Sequence, residues 1–204
     1  MKKIITLTGG TGSFGTKSIS RILSKFNPKE LRIFSRDEMK QWSLQEKYKN
    51  IKNIKFILGD VRDPKSLEVA FSDCDYVIHA AATKIVPLAE ENPEECIRTN
   101  VIGATNVINA AIKNNVKNVV ALSTDKACNP INLYGATKLC SDKLFIAANF
   151  LKNNNCSKFS IVRYGNVINS RGSVIPFFKS QIDQGYFSIT DVKMTRFLIS
   201  LDQG

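Results

Sequence analysis

Long hydrophobic runs are missing from this chain: no stretch approaches the ~20 apolar residues needed to span a bilayer. A signal peptide is missing too, because the charged start Met1-Lys2-Lys3 is followed only by Ile4-Ile5-Thr6-Leu7 before glycines begin. A soluble, cytoplasmic protein without membrane contact is the expectation. Cysteine pairs are also lacking. The five cysteines, Cys74, Cys96, Cys128, Cys140 and Cys156, are odd in number and include no Cys-x-x-Cys. That pattern argues against a disulfide framework and a zinc site and predicts reduced, mostly buried thiols. No metal is expected. Histidine is confined to His79, which reads as a packed strand-end residue rather than a catalyst. There is no repeat of solenoid period and no low-complexity linker.

Acidic residues are few, 18 against 29 basic ones, which gives a formal net charge of +11. An excess of that size suits an anionic partner: nucleic acid, a membrane face or a charged small molecule. Most of it is scattered. Its densest part, Lys47, Lys49, Lys52 and Lys55, alternates with Asn and apolar residues, as on a solvated helix or loop face. No helix-turn-helix or aromatic reader signature accompanies it, so nucleic acid is not the expected partner.

At 204 residues, 43% hydrophobic and 23% charged, the chain has the length and composition of one globular domain. Short Ile- and Val-rich runs read as buried parallel strands: Ile4 to Thr8, Leu31 to Ser35, Lys55 to Leu58, Tyr76 to His79, Val119 to Ser123 and Lys158 to Arg163. Helical spacing fills the gaps at Gly15 to Phe26, Ser66 to Phe71, Asn100 to Asn114 and Tyr134 to Leu151. Such β-α alternation predicts an α/β fold, a doubly wound parallel sheet of Rossmann type, over residues 1–165. Residues 166–204, with a short helix around Ile175 to Ile182, read as the start of an incomplete second, substrate-binding lobe.

The first strand runs into Thr8-Gly9-Gly10-Thr11-Gly12-Ser13-Phe14-Gly15, and a helix follows. Glycines permit a tight turn and close backbone approach, while a helix N-terminus offers amides and a positive dipole end to a phosphate. Gly9, Gly12 and Gly15, with Thr11, Ser13 and Phe14 between them, are therefore candidate dinucleotide-binding residues. At the end of the second strand, Ser35 and Arg36 can bond a ribose 2′-phosphate, with Lys40 a turn further on. They favour NADP, although Asp37 leaves NAD open. Asp60 and Val61 end the third strand, where a carboxylate can accept from an adenine amine and Val61 can pack on the ring. The alternative for Asp60 is a helix cap.

Strand five delivers Ser123-Thr124-Asp125-Lys126, and Tyr134-Gly135-Ala136-Thr137-Lys138 follows. Tyr and Lys four apart share a helix face, so the ammonium can stabilise a phenolate and lower the Tyr pKa toward that of a working base. With Ser123 or Thr124 as hydroxyl partner, this is a proton-transfer site for chemistry beside a nicotinamide.

The runs SRDE, GDVRD, HAAATK, STDKA, INLYGATK, RYGN and SRGSVIPFF extend over nearly the whole chain. Together with the glycine turn and Tyr134-x-x-x-Lys138 they resemble the extended short-chain dehydrogenase/reductase superfamily. Within it they are similar to the inverting UDP-N-acetylglucosamine 4,6-dehydratases (C6-dehydratase/C5-epimerases) of bacterial surface-glycan pathways. Asp125-Lys126 carries much of the likeness, since retaining sugar dehydratases have an Asp-Glu pair there.

The resemblance implies NADP as cofactor, a UDP-N-acetylhexosamine as substrate and a homo-oligomer. It implies Tyr134 as the base at the C4 hydroxyl, Lys138 as anchor of ribose and phenolate, and Lys126 as the base at C5, its pKa depressed by burial and by Lys138. Asp125 would be the acid at C6, and Thr124 a third polar contact. It further implies Ala80, Ala81 and Lys84 beside the nicotinamide, with Lys84, Asn166, Val167, Arg171 and Ser173 toward the nucleotide sugar. Relatives continue beyond the equivalent of Gly204, so retained cofactor binding with weak turnover is expected. The competing readings are a nucleotide-sugar 4-epimerase or reductase, which needs neither Asp125 nor Lys126, and a non-catalytic NADP-binding fragment.

Overall fold

The computed structural model describes residues 3–151, 153, 157–168, 170, 173–189, 191–200 and 203. Six strands, β1 (Ile4–Thr8), β2 (Glu30–Ser35), β3 (Ile54–Leu58), β4 (Tyr76–His79), β5 (Asn118–Thr124) and β6 (Lys158–Tyr164), form a sheet in the order β3-β2-β1-β4-β5-β6. All five pairings are parallel. This is the doubly wound order expected from the sequence, and strand order reverses beside β1. There β1 pairs with β2 on one side and with β4 on the other, so a crevice opens at its carboxyl end.

The strands are apolar because both faces of the sheet are covered. On one face, α1 (Ser13–Phe26) and α2 (Glu38–Lys47) pack Ile19, Ile22 and Leu44 on Ile5, Leu7, Leu31 and Ile33. On the other, α3 (Pro64–Phe71), α6 (Gly103–Lys113) and α7 (Leu133–Ala148) supply Leu67, Phe71, Val107 and Phe145 against Phe34, Val77, Val119 and Phe159. Each fully buried side chain of this size contributes about 1.5–3 kcal/mol.

Asn132 caps α7, accepting from the Gly135 amide at 2.8 Å. Asp63 caps α3, accepting from the Lys65 and Ser66 amides. The cap considered for Asp60 thus belongs to Asp63. Helix α2 left little apolar periodicity because it buries only Gln41 and Leu44.

The helix read over Asn100 to Asn114 is more complex. After α4 (Val86–Glu91), the chain runs from α5 (Pro93–Ile97) through a π turn at Arg98–Ile102 into α6. Single π turns inside helices recur at functional sites. This one carries Asn100, which is buried and clamps Thr83: it accepts from the Thr83 amide at 2.9 Å and donates to the Thr83 carbonyl at 2.9 Å.

His79 is buried as expected, its Nδ1 2.8 Å from Thr8 Oγ1 and its ring 5.6 Å from that of Phe145. Burial, with Lys138 nearby, pushes its pKa down to about 3. The cysteine expectation needs correcting: Cys74 and Cys96 are buried, but Cys128 and Cys140 are exposed thiols, because they lie on a surface turn and on the outer side of α7. Cys156 lies outside the described residues. Among the described residues no helix is long and apolar enough to cross a membrane, and no acid, His and Cys cluster could hold a metal.

Beyond β6 a separate two-stranded parallel sheet joins β7 (Asn166–Val167) to β8 (Leu198–Ile199), with α8 (Val174–Ser180) between them. This segment is poorly covered: Phe177, Ile182, Phe187, Ile189, Val192 and Phe197 are all exposed.

Candidate active site

The turn after β1 is held by its own backbone. Gly9 donates to the Phe34 carbonyl at 2.8 Å, and Gly12 to the Gly9 carbonyl at 2.9 Å. Gly9 has φ +68°, a left-handed conformation that L side chains rarely adopt. A Cβ there would stand 2.6 Å from the Ala81 nitrogen, so the turn lies flat against the loop leaving β4. Gly9→Ala is accordingly expected to lower the melting temperature and to weaken dinucleotide affinity by about tenfold or more, since strain in this region costs ~1–3 kcal/mol. Thermal melts and NADPH fluorescence titration would measure both, and unchanged affinity would remove this turn from the site.

The crevice is a cleft of about 340 Å³. It is lined by Gly9, Thr11, Gly12, Ser13, Phe14 and Gly15 from the first turn, by Ser35, Arg36, Asp37 and Lys40 after β2, by Asp60 and Val61 after β3, and by Ala80, Ala81 and Lys84 after β4. Four segments distant in sequence thus converge on one groove. No side chain caps α1 at its end of the groove, where Gly12 is the N-cap. The glycine cradle and the end of α1 suit a pyrophosphate.

Asp37 is turned toward α2: it caps that helix by accepting from the Lys40 amide at 3.0 Å, and it pairs with the Lys40 amine. Arg36 is half exposed, its guanidinium 3.7 Å from Asp60. Asp60 accepts from the Arg62 amide at 2.9 Å and is gripped by the Arg62 guanidinium at 2.7 and 2.9 Å. Burial raises the Asp60 pKa, but Arg62 and Arg36 outweigh that and hold it below the ordinary value. Sequence reasoning missed Thr99, which also lines the cleft and has a buried hydroxyl oxygen without a hydrogen-bond partner. It is delivered by the π turn, a feature that periodicity does not reveal.

Lys84 also lines a second cleft, of about 180 Å³, together with Thr124, Lys126, Tyr134, Asn166, Val167 and Ser173. Ser123, the other strand-end hydroxyl, is on its walls too, with Tyr164 and Ser170, which sequence reasoning missed. Arg171 lies outside the described residues. The Lys126 amine donates to Asp125 at 3.0 Å and to Asn166 Oδ1 at 2.8 Å. Thr124 donates to Asp125 at 3.0 Å and accepts from the Lys126 amide. Gly135 lets the first turn of α7 lie against this segment, because any Cβ on it would overlap the Lys126 carbonyl.

Two electrostatic expectations are corrected. Lys138 does not lower the Tyr134 pKa in this arrangement: burial pushes the phenol up to about 12, against the pull of a hydrogen bond with Thr124. The Lys138 amine is tied instead to the Leu122 carbonyl at 2.7 Å, and burial brings it down to about 8. Nor is Asp125 a ready acid. Burial raises its pKa, but Lys126 and Thr124 prevail and hold it below the ordinary value, so it rests as a carboxylate. The Lys126 amine donates to both an acid and an amide.

Relatives match nearly all of this chain. It is 56% identical over 204 residues, 99% of this chain, to a UDP-N-acetylglucosamine 4,6-dehydratase (inverting) of Campylobacter jejuni. It is 51% identical over 203 residues, 98% of this chain, to a UDP-glucose 4-epimerase of Rickettsia canadensis. The crystal structure of Pen from Bacillus thuringiensis superposes with a TM-score of 0.95 at 42% identity, covering 99% of this chain and 64% of that one. The chain spans 61% of the length of the Campylobacter relative and 59% of the Rickettsia relative. A family model described as polysaccharide biosynthesis protein matches residues 5–204, and to that family the chain belongs.

Proposed function

We propose that this chain carries the dinucleotide-binding and catalytic part of an inverting UDP-N-acetylglucosamine 4,6-dehydratase that uses NADP. The observation that supports it is the Lys126 amine, joined to Asp125 at 3.0 Å and opening into the cleft that Tyr134 lines. A 4-epimerase needs one proton acceptor at the C4 hydroxyl, whereas elimination needs a second base at C5 and an acid at C6.

The bound nicotinamide would supply reversible hydride acceptance. In this reading, Tyr134 removes the C4 hydroxyl proton, with Thr124 bonded to its phenol and Lys138 behind it. Lys126 and Asp125 hold one proton between them. Moving it from ammonium to carboxylate across 3.0 Å leaves an amine to take the C5 proton and a carboxylic acid to protonate the departing C6 hydroxyl. With the hydride given back at C6, C5 takes a proton on the opposite face, giving a 4-keto-6-deoxy sugar with inverted C5. Lys84, Asn166, Val167 and Ser173 steer the nucleotide sugar.

NADP is preferred to NAD because Asp37 is engaged as a helix cap and by Lys40, while Arg36 is half exposed at the rim of the groove. A charge-assisted bond is worth about 1.5–3 kcal/mol. Arg36→Ala is therefore expected to weaken NADPH binding by about 10–100-fold and NADH binding by less than about threefold. Equal losses for both cofactors in fluorescence titrations would refute the assignment.

Single-turnover incubation of stoichiometric protein with UDP-N-acetylglucosamine in heavy water tests the reaction. Loss of water with deuterium at C5 supports the dehydratase. The Rickettsia relative keeps one rival in view, and an unchanged mass with a C4 epimer would favour the epimerase.

A further inference from the structure

Arg163, on the edge strand β6, has no part in the chemistry proposed above, yet its guanidinium reaches two other segments that do. Its Nε donates to Asp142 at 2.8 Å, and its Nη1 donates to Cys128 Sγ at 3.1 Å. Asp142 lies on α7 one turn beyond Lys138, on the same face, with its side chain only 2% exposed. Cys128 closes the tight turn that carries Asp125 and Lys126, its amide donating to the Asp125 carbonyl at 2.9 Å. Beyond Arg163, the chain continues through Tyr164 to Asn166, which receives the Lys126 amine at 2.8 Å.

Asp142 is buried but Arg163 is about a third exposed, so desolvation of the acid and solvent screening of the guanidinium leave the pair little net stability. What it supplies well is fixed geometry, most of all through a planar, forked guanidinium. We infer that Arg163 is a positioning residue that joins α7, the Lys126 turn and the end of β6 into one block through Asp142 and Cys128. Its purpose rests on the dehydratase reading: elimination needs the phenol of α7 and the Lys126–Asn166 pair at a constant separation. The block itself can be tested without substrate.

Asp142 also acts on Lys138, raising its pKa against the larger lowering by burial. The groups facing that amine are Asp142 from α7, His79 from β4 and the Leu122 carbonyl from β5. Lys138 thus gives a spectroscopic reading of the pair, through NMR titration of 13Cε-labelled lysine.

The experiment combines that titration with amide hydrogen exchange on Arg163→Met, Arg163→Lys, Asp142→Asn and Cys128→Ala. Arg163→Met is expected to speed exchange by about tenfold or more at residues 125–128 and 164–168 together, while exchange in β1 and β2 is unchanged. Arg163→Lys keeps a partner for Asp142 but cannot fork, so exchange rises at 125–128 alone. Cys128→Ala, at an exposed site where the fold does not depend on the thiol's packing, should reproduce that pattern. Asp142→Asn should move the Lys138 midpoint below about 8. The inference fails if Arg163→Met speeds exchange across the whole sheet, if Arg163→Lys behaves as wild type in every reading, or if the Lys138 midpoint ignores Asp142. Exchange and titration would give these answers even if the dehydration assay showed no product.

Discussion

Lys126→Met is expected to stop dehydration while leaving the first oxidation intact. Removing the amine takes away the base at C5 and strands Asp125 as a carboxylate with no proton to pass on, since its partner at 3.0 Å is gone. A positioned acid or base contributes about 10²–10⁴-fold. Because two roles pass through this amine, deuterium incorporation at C5 and loss of water should fall toward the upper end of that range. Tyr134, Lys138 and the dinucleotide groove are untouched by the change. Absorbance at 340 nm should therefore still rise on mixing with UDP-N-acetylglucosamine and then persist, as the reduced cofactor waits for an elimination that does not come. Water loss at the wild-type rate would take Lys126 out of the mechanism.

Tyr134→Phe is expected to fail one stage earlier, with no rise at 340 nm and oxidation slowed by about 10²–10⁴-fold. The substitution removes only the hydroxyl, so NADPH affinity should stay within about threefold. The pH dependence follows from its surroundings. With the phenol near 12 in the free protein, proton removal at neutral pH requires positive charge close to it. Lys138 does not supply it while its amine is tied to the Leu122 carbonyl; once that amine turns to the phenol, the charge is present below about 8 and is lost as pH rises through that value. Activity should fall on the alkaline side with a midpoint near 8, and Lys138→Arg, which keeps its charge, should move that limb upward. An alkaline limb indifferent to Lys138 would show that the charge comes from elsewhere.

The fold was legible because buried parallel strands leave an unambiguous trace: short Ile- and Val-rich runs ending in turn residues, from Ile4 to Thr8 through Lys158 to Arg163. Elements whose burial is slight were harder to see. Helix α2 hides because it covers the sheet with only Gln41 and Leu44, and the π turn because it changes hydrogen-bond spacing without changing composition. The convergence of Gly9, Ser35, Asp60 and Ala80 on one groove could be anticipated, since each follows a strand whose carboxyl end points the same way.

Charge states could not be read in advance. Whether Lys138 meets the phenol or a strand carbonyl, and whether Asp125 rests protonated or ionised, depends on separations of an ångström or two that spacing along a helix does not fix. Arg163 and Asp142 stand 21 residues apart on different elements, and only the folded chain shows that one grips the other.

The apolar side chains standing open around α8, among them Phe177, Ile182, Phe187 and Phe197, govern how this molecule behaves as a colloid. They add to apolar groups exposed elsewhere, Trp42, Ile131 and Phe150 among them, and this mutual attraction is opposed by the repulsion of a +11 charge. Raising ionic strength shortens the reach of that repulsion without weakening the apolar contact, so handling in strong salt favours clumping through these side chains while the sheet stays folded.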